Sequence, residues 1–435
     1  MEWYQTLFVL FGLFVLVLLT GLPVAFAFLL INVVGVMIVL GGPHALALLV
    51  PSAYDSVANF NLTSILFFIL MGELLTRSGL ASLSIEAVDK WIGRVPGRLS
   101  AVAVGGGTFF AALSGSAMAS TAMLGSTLGA EMERRGYKPQ MSVAPILAGA
   151  SLDPLIPPSA LAVLLAVLAN VSVGKLLIAG AGPGFFLAAL YMLYFVLRAK
   201  LQPALAPPYE SPTATLTERI LVLRHVLLLA GLIFIVTGLI FLGIATPTET
   251  AALGAAASAV LAAAYRRLTW NVLRESLRST MATTALVLFI IVGSKTYSQL
   301  MAVTGATTGW VNWVVGLPVA PILTIFAFVV IVLILGCFID AVSIMLITTP
   351  LFMPVVTFLG FDPLWFNLLI LIGLELGGIT PPFGLQLFVM KATMPHLSIG
   401  EIYNTVWPIV IMQFICILVF MAFPPLTYVL VNLVK

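Results

Sequence analysis

Charged residues are scarce in this sequence, and their scarcity excludes a soluble globular protein. Asp, Glu, Lys and Arg make up 8% of the 435 residues, whereas a typical soluble domain contains about 25%. Hydrophobic residues make up 61%, and apolar runs long enough to cross a hydrocarbon core of about 30 Å recur along the chain. The composition therefore predicts an all-α protein that crosses the lipid bilayer many times, and it excludes disordered, fibrous and nucleic-acid-binding classes.

The residue patterns of common enzymes are also missing. The two cysteines, Cys337 and Cys416, lie inside apolar runs, and the three histidines are scattered singly, so neither a disulfide framework nor a metal cluster is predicted. The chain has no G-x-x-x-x-G-K-[ST] motif, which excludes ATP hydrolysis by that route. No Ser–His–Asp arrangement stands at a defensible spacing. We therefore predict a protein that is not an enzyme and that needs no organic cofactor.

The basic residues are distributed unevenly, and their distribution predicts the orientation in the membrane. Fifteen of the nineteen lie in the polar stretches 77–98, 131–138, 198–224 and 266–278, which the positive-inside rule assigns to the cytoplasm. Because the first basic residue is Arg77, the N-terminal apolar stretch lacks the positive region of a signal peptide, and we expect a permanent membrane segment there. Counting crossings from these stretches predicts that the N- and C-termini lie on the side of the membrane opposite the cytoplasm.

The apolar region 99–131 has a polar interruption in its middle. Positions 98 and 131 are expected on the same side of the membrane, yet each apolar arm between them is only about 20 Å long. A re-entrant hairpin that turns at Ser114-Gly115-Ser116 satisfies both conditions. Two short tilted spans would place the basic residues on the same side too, so charge alone leaves both alternatives open.

The chain contains two copies of one pattern. Gly-Tyr-Lys-Pro at 136–139 and Gly-Phe-Asp-Pro at 360–363 are separated by the same offset along the chain as Pro157-Pro158 and Pro381-Pro382. The cytoplasmic stretches place the starts of the two copies on opposite sides of the membrane, so the repeats are predicted to be inverted. Inverted repeats with broken helices are typical of transporters. The predicted units are a first repeat at 1–200, a cytoplasmic connector at 201–221 and a second repeat at 222–435, with hairpins at about 99–131 and 318–359 and broken helices at about 140–170 and 365–395.

Four polar interruptions in the apolar regions are candidate sites: Ser114–Thr121, Ser151–Ser159, Asp340 with Ser343, and Gly377–Gly384. Ser114–Thr121 supplies hydroxyls, and three prolines within Ser151–Ser159 free backbone carbonyls beside Asp153, so a hard cation would find oxygen ligands there. Inward-pointing helix ends also offer N–H groups to an anion. Close packing of small residues and a simple kinked helix are the structural alternatives. The candidate substrate-binding residues are Gly115, Ser116, Ser120, Pro158, Ser159, Asp340, Ser343, Pro382 and Lys391.

Other ionisable residues at membrane depth have less defined roles. Glu375 and Lys391 flank the second proline pair, and they either form an ion pair or leave Lys391 to attract an anionic substrate. For Glu73, Glu249 and Lys295, snorkelling or a structural hydrogen bond is the favoured interpretation.

Five ordered motifs resemble one transporter family. LSGSAMAS, LDPLIPPS, IATPTETAA, FIDAVSIML and LELGGITPPFGLQLFV are similar to the large membrane subunit of tripartite ATP-independent periplasmic (TRAP) transporters. The resemblance implies an elevator transporter that imports an organic acid with sodium and without ATP, together with a small four-helix membrane subunit and a periplasmic substrate-binding protein. The sodium ligands that it implies are Ser114, Ser116, the carbonyls around Asp153, Leu155 and Pro157, and then Asp340, Gly377 and Thr380.

One residue departs from the family pattern. Asp153 stands where the family commonly has glycine, so the first sodium site is either unchanged or gains a carboxylate that also takes a proton. The alternative function is a stand-alone cation-coupled dicarboxylate or ion transporter of the same architecture, which needs no binding protein.

Overall fold

The computed structural model describes residues 2–39, 42, 44, 47, 49–92, 95–207 and 227–433. Within these residues the regular elements are helical and no strand occurs, which confirms the predicted all-α class. Most of the predicted connector, from residue 208 on, lies outside the described part. The helices are α1 Trp3–Leu19, α2 Val24–Val39, α3 Leu49–Val57, α4 Leu62–Arg77, α5 Ser82–Ile92, α6 Arg98–Ser114, α7 Ala117–Leu124, α8 Ala130–Arg134, α9 Pro139–Ala150, α10 Ala160–Leu168, α11 Val173–Leu201, α12 Leu227–Phe241, α13 Pro247–Ala264, α14 Trp270–Val303, α15 Ala306–Val315, α16 Pro321–Gly336, α17 Ala341–Phe358, α18 Pro363–Gly378, α19 Leu385–Thr393 and α20 Ile399–Ala422.

The lengths and composition of these helices make the chain a multi-pass membrane protein. Among the described residues, four helices are each long and apolar enough to cross a membrane, and a fifth span results if the bent pair of α3 and α4 counts as one. Six shorter apolar helices, including α1, α2 and α6, accompany them. The crossing helices expose many large apolar side chains, as a lipid-facing surface requires.

Three features of the helices were not predicted. Helix α3 precedes α4 across a bend of 54°. Helix α14 is 34 residues long: it includes the second half of the polar stretch 266–278 and continues through the apolar segment that follows. A π-helical turn at Gly125–Gly129 joins α7 to α8, and a second one lies within α12 at Phe234–Gly238.

The predicted interruptions are where the helices end. Helices α6 and α7 are separated at Gly115 and Ser116, and α16 and α17 are separated at 337–340. The proline-containing segments 151–159 and 379–384 separate α9 from α10 and α18 from α19. Both proline pairs have a cis peptide bond. Corresponding helices begin at related positions: Ala117 and Ala341 have the same sequence offset as Pro139 and Pro363, and the offset between Val173 and Ile399 is close to it.

Serines compensate for prolines inside two of these helices. Pro145 lies within α9 and has no N–H, so the carbonyl of Met141, one turn earlier, lacks its usual helical donor. Ser100 of α6 donates its hydroxyl to that carbonyl at 2.6 Å. The serine is fully buried, so the bond satisfies a carbonyl that water does not reach. Ser100 therefore connects α6 to α9 by a hydrogen bond.

The second half uses the same arrangement between different helices. Pro350 lies within α17 and leaves the carbonyl of Leu346 without a helical donor. Ser294 of α14 donates to that carbonyl at 2.9 Å, and both residues are buried. This hydrogen bond connects the long helix α14 to α17.

Close helix crossings hold the elements around the interruptions together. Helix α6 packs against α9, and α16 packs against α18. In the second crossing, Gly336 and Gly377 meet so closely that a Cβ on Gly377 would lie 2.5 Å from the Cα of Gly336. A separate, smaller core includes Phe14, Phe28 and Tyr297, where α2 packs against α1 and α14.

Candidate functional site

Four helix N-termini converge on one cavity. The first residues of α7, α10, α17 and α19 all line a cavity of about 430 Å³, although they come from four different parts of the chain. Each helix N-terminus has backbone N–H groups without helical acceptors and carries a partial positive charge. These helix ends therefore favour a negatively charged group in the cavity. Its volume is in the range of small-molecule sites. These four residues are Ala117, Ala160, Ala341 and Leu385.

The helices that precede the interruptions end at the same place. Ser114, Gly336 and Gly378, the last residues of α6, α16 and α18, line the cavity as well. Helix C-termini present carbonyl oxygens and a partial negative charge, which favours a cation. The reversal between α6 and α7 requires glycine at position 115, because that residue has a φ of +63°. One cavity thus combines groups suited to an anion with groups suited to a cation.

The hydroxyl groups at the turn between α6 and α7 form a connected group. Ser116 accepts a hydrogen bond from the Ala119 amide at 3.2 Å and so caps α7. The hydroxyls of Ser114 and Ser120 are 3.1 Å apart, and Ser120 also donates to the Ser116 carbonyl at 3.0 Å. Ser114 and Ser116 line the cavity, whereas Ser120 is buried behind them.

Four acidic side chains line the cavity, and they differ in the hydrogen-bond donors that the protein offers them. Glu73 accepts hydrogen bonds from Arg77 and Ser279, both at 2.6 Å. Asp340 caps α17 by accepting from the amide and the hydroxyl of Ser343. These two carboxylates therefore have donors from the protein, and for Glu73 the predicted structural hydrogen bond is present.

The other two acids are buried. Glu375 is 5% exposed and accepts a 2.7 Å hydrogen bond from the side-chain amide of Gln386. Asp153 is 1% exposed, and its Oδ1 has no hydrogen-bond donor among the described residues. Its carboxyl group lies beside the backbone amide of Ala117 and close enough to Glu375 for electrostatic repulsion.

Six of the fifteen predicted site residues line the cavity, and the other nine lie outside its wall. Ser114, Gly115, Ser116, Asp153, Pro158 and Asp340 line the cavity. Gly377, Thr380, Ser159, Ser343 and Pro382 are in or beside the same helix interruptions without lining it. Leu155 is not in the wall; its carbonyl would lie 3.0 Å from a Cβ on Gly180 of α11. Pro157 lines a separate apolar cavity of about 190 Å³.

Lys391 is not placed beside Glu375. Its ammonium group donates to the carbonyl oxygens of Pro395 and Leu397, both at 2.6 Å, and so closes the loop after α19. Glu375 instead receives its hydrogen bond from Gln386. The ion pair that the sequence allowed is therefore wrong, and Lys391 does not line the cavity that the other candidates share.

Gln386 is the residue that sequence reasoning missed. It lies one residue inside α19, is 3% exposed and contacts the cavity. A polar amide in the apolar run Phe-Gly-Leu-Gln-Leu-Phe-Val was the available signal, because such a group at membrane depth needs partners. Among the described residues no group of three or more His, Cys, Asp and Glu side chains is arranged to hold a metal ion.

Comparison with known proteins agrees with this architecture. Residues 11–426 match the family described as the tripartite ATP-independent periplasmic transporter, DctM component. The C4-dicarboxylate TRAP transporter large permease protein DctM of Pseudomonas aeruginosa is 31% identical over 91% of this chain and 92% of its own length. The ectoine TRAP transporter large permease protein TeaC of Halomonas elongata is 28% identical over 88% of this chain and 89% of its own length.

A solved structure supports the fold independently of close sequence similarity. The YdaH transporter of Alcanivorax borkumensis is superimposable with a TM-score of 0.62 at 17% identity, over 90% of this chain and 91% of that one. The family match covers nearly the whole chain and includes every interruption that lines the cavity. The chain therefore belongs to the DctM family of tripartite ATP-independent periplasmic transporters, as the large permease subunit, and its relatives are transporters and not enzymes.

Proposed function

We propose that this protein imports a small organic acid across the bacterial inner membrane together with sodium, as the large permease of a TRAP transporter. The observation that carries the proposal is the convergence of four helix N-termini and three helix C-termini on one cavity. N–H groups at the N-termini would bind the carboxylate of the solute, and carbonyls at the C-termini would bind the cation. The names of relatives, which transport C4-dicarboxylates and ectoine, support a small organic solute.

Sodium fits the donors that the cavity offers. It is a hard cation that takes oxygen ligands, and hydroxyls, carbonyls and carboxylates are all present in the wall. Ser114 and Ser116 would contribute at the first hairpin, and Asp340 at the second. Gly377 and Thr380 would contribute carbonyls from the interruption after α18. Bound sodium would lower the cost of bringing an anion into a site that is shielded from water.

An elevator motion would carry this site across the membrane. The hairpins of α6–α7 and α16–α17, with the broken helices α9–α10 and α18–α19, would move as one body, and helices such as α4 and α14 would be the static scaffold. Helix starts that share one sequence offset support two repeats, and the charge distribution supports their inverted orientation. We place the N- and C-termini in the periplasm for the same reason.

The proposal includes two partners. A small four-helix membrane subunit would pack against the apolar outer surface, and a periplasmic binding protein would deliver the solute. A requirement for the binding protein distinguishes this function from that of a stand-alone cation-coupled dicarboxylate transporter.

Uptake in proteoliposomes tests the proposal. Vesicles that contain the permease and its small subunit are given radiolabelled solute on the cognate binding protein, with sodium or potassium outside. We expect uptake only with sodium and only with the binding protein. Full uptake with potassium would refute sodium coupling, and full uptake without the binding protein would favour the stand-alone transporter.

A matched pair of serine variants tests the site. Ser116→Leu would place an apolar side chain in the cavity wall and is expected to abolish uptake. Ser126→Leu makes the same change at an exposed position beyond α7 and is expected to leave uptake intact. Equal uptake by the two variants would refute the assignment of the cavity.

A further inference from the structure

A second cavity lies along the same helices as the first one, the cavity at the helix interruptions. It has a volume of about 450 Å³ and is lined by residues from 168–170, 294–299 and 349–357. Helices α10, α14 and α17 contribute residues to both cavities. On α14, Thr283 lines the first cavity and Lys295 lines the second, so these two positions are about 18 Å apart along the helix axis.

The orientation of α14 places the second cavity nearer the periplasm. This helix begins within the polar stretch 266–278, which the positive-inside rule assigns to the cytoplasm, and it passes the first cavity before the second. Between the two cavities, the hydroxyl of Ser294 donates to the buried carbonyl of Leu346 on α17. Helices α14 and α17 are therefore in contact where a solute would pass from one cavity to the other.

Lys295 gives the second cavity a positive charge that no acid balances. Among the described residues that line this cavity, Lys295 is the only charged side chain. Its ammonium group forms no hydrogen bond or ion pair with any described residue, so the structural hydrogen bond favoured from the sequence is not found there. Lys295 lies eight residues before the end of α14, about 12 Å along the axis, and follows an apolar run. A lysine at membrane depth is costly and indicates a functional partner.

Uncharged hydrogen-bonding groups accompany this charge in the cavity wall. Ser298 and Gln299 follow Lys295 on α14 by about one turn, and Asn170 contributes from the end of α10. None of these three side chains forms a hydrogen bond with a described residue. A hydroxyl and two amides can donate to anionic oxygens, and a lysine ammonium forms charge-assisted hydrogen bonds with a carboxylate.

We infer that the second cavity is an additional binding site for the organic acid, in which Lys295 binds its carboxylate on the periplasmic side of the first cavity. Ser298, Gln299 and Asn170 donate to the other oxygens of the solute. Helix α14 belongs to the proposed scaffold and α17 to the proposed mobile body, so the elevator motion breaks the contact between them and lets the solute reach the first cavity. This inference rests on the proposed function for its solute and its orientation. Its residues are separate from the proposed sodium and solute ligands of the first cavity.

A cysteine placed beside Lys295 measures the charge preference of the second cavity. Ser298→Cys is made in the full-length permease in lipid nanodiscs, and its rate of modification by anionic sulfonatoethyl methanethiosulfonate is divided by its rate with the cationic trimethylammonioethyl reagent. The two native cysteines are buried, and the wild-type protein gives their background rate. Thr308→Cys, at an exposed position of α15, is the control. We expect the ratio at Ser298→Cys to be about tenfold higher than at the control. Equal ratios would overturn the inference.

Variants of Lys295 assign this preference to its charge. Lys295→Gln is expected to lower the ratio at Ser298→Cys to that of the control, and Lys295→Arg is expected to keep it high. A ratio that Lys295→Gln leaves unchanged would refute the role of this residue. The comparison of the two cysteine positions needs no change at Lys295, so the inference remains falsifiable if Lys295→Gln does not fold.

Protection by carboxylates shows whether the cavity holds the acid group itself. Acetate, lactate and succinate are compared with their uncharged amides, acetamide, lactamide and succinamide. We expect at least one acid to slow the modification of Ser298→Cys by the cationic reagent, its amide to have no effect, and Lys295→Gln to abolish the protection. If no acid protects, or if each acid protects no better than its amide, the inference is wrong.

Uptake in proteoliposomes separates this inference from the proposed function. Lys295→Gln is expected to raise the KM for the solute and to keep the dependence on sodium. Sodium-dependent uptake with an unchanged KM would refute the second site and leave the proposed function intact. Protection by a carboxylate together with uptake that is independent of sodium would refute the coupling and leave the second site intact.

Discussion

The hydrogen bond from Ser100 to the Met141 carbonyl offers a quantitative test of how the two helices α6 and α9 are joined. Ser100→Ala removes the hydroxyl and leaves a buried carbonyl that has no helical donor, because residue 145 is proline. The Ser100 side chain is fully buried, at 0% exposure, so water does not replace the lost donor. An unpaired buried carbonyl costs about 1–3 kcal/mol, and we expect the free energy of unfolding to fall by that amount.

A second substitution identifies the cause. Pro145→Ala restores an N–H at position 145, which can donate to the Met141 carbonyl within α9. In that background Ser100→Ala is expected to have almost no effect, because the carbonyl then has its helical partner. The difference between the two costs is the coupling energy of the pair.

Unfolding of the purified protein in mixed detergent micelles, titrated with a denaturing detergent, measures these free energies. The four proteins of the cycle are compared under one set of conditions. If Ser100→Ala costs the same in both backgrounds, the serine contributes packing and not the missing donor. If it costs nothing in the wild type, the hydrogen bond does not stabilise the crossing.

Three further predictions use the same measurement. Ser294→Ala is expected to cost about 1–3 kcal/mol because it leaves the Leu346 carbonyl without a donor, and a cost no greater than that of Ser298→Ala, one turn later, would contradict this. Gly377→Ala places its Cβ 2.5 Å from the Gly336 backbone and is expected to cost about 1–3 kcal/mol. In the control Gly400→Ala, the added Cβ meets no other part of the described structure within 4 Å, so this change is expected to be neutral or slightly stabilising. Equal effects of the two substitutions would refute the close crossing. Lys391→Gln is expected to lower stability by about 1 kcal/mol through its two lost carbonyl contacts and to leave the KM for uptake unchanged, and a raised KM with unchanged stability would return Lys391 to the substrate site.

The helix interruptions could be predicted from the sequence because their causes are local. Pro157-Pro158 and Pro381-Pro382 remove backbone donors, and Gly115 supplies the conformation that a reversal of direction needs. These constraints act within a few residues, so they can be recognised without knowledge of the neighbours in space. Helices at related positions of the two predicted repeats begin at similar offsets, as Ala117 and Ala341 and then Pro139 and Pro363 do.

Contacts between distant segments could not be predicted in the same way. Sequence spacing allowed Glu375 to pair with Lys391, yet the structure places Gln386 beside Glu375 and turns Lys391 towards the carbonyls of Pro395 and Leu397. The direction in which a side chain leaves a broken helix depends on the packing of both fragments. For the same reason, Leu155 and Pro157 could be assigned to the first interruption but not to a face of it.

The sequence by itself determined that the chain is an all-α membrane protein, where its helices break, and which polar residues occupy those breaks. These properties follow from composition, proline and glycine chemistry, and the cost of placing polar groups in lipid. Only the tertiary structure decided that the four breaks meet at one cavity and that, among the described residues, Asp153 Oδ1 and Gln386 Oε1 have no hydrogen-bond donor. Hydrogen bonding and charge balance in a buried wall depend on residues far apart in the sequence, so they become defined only when the helices pack.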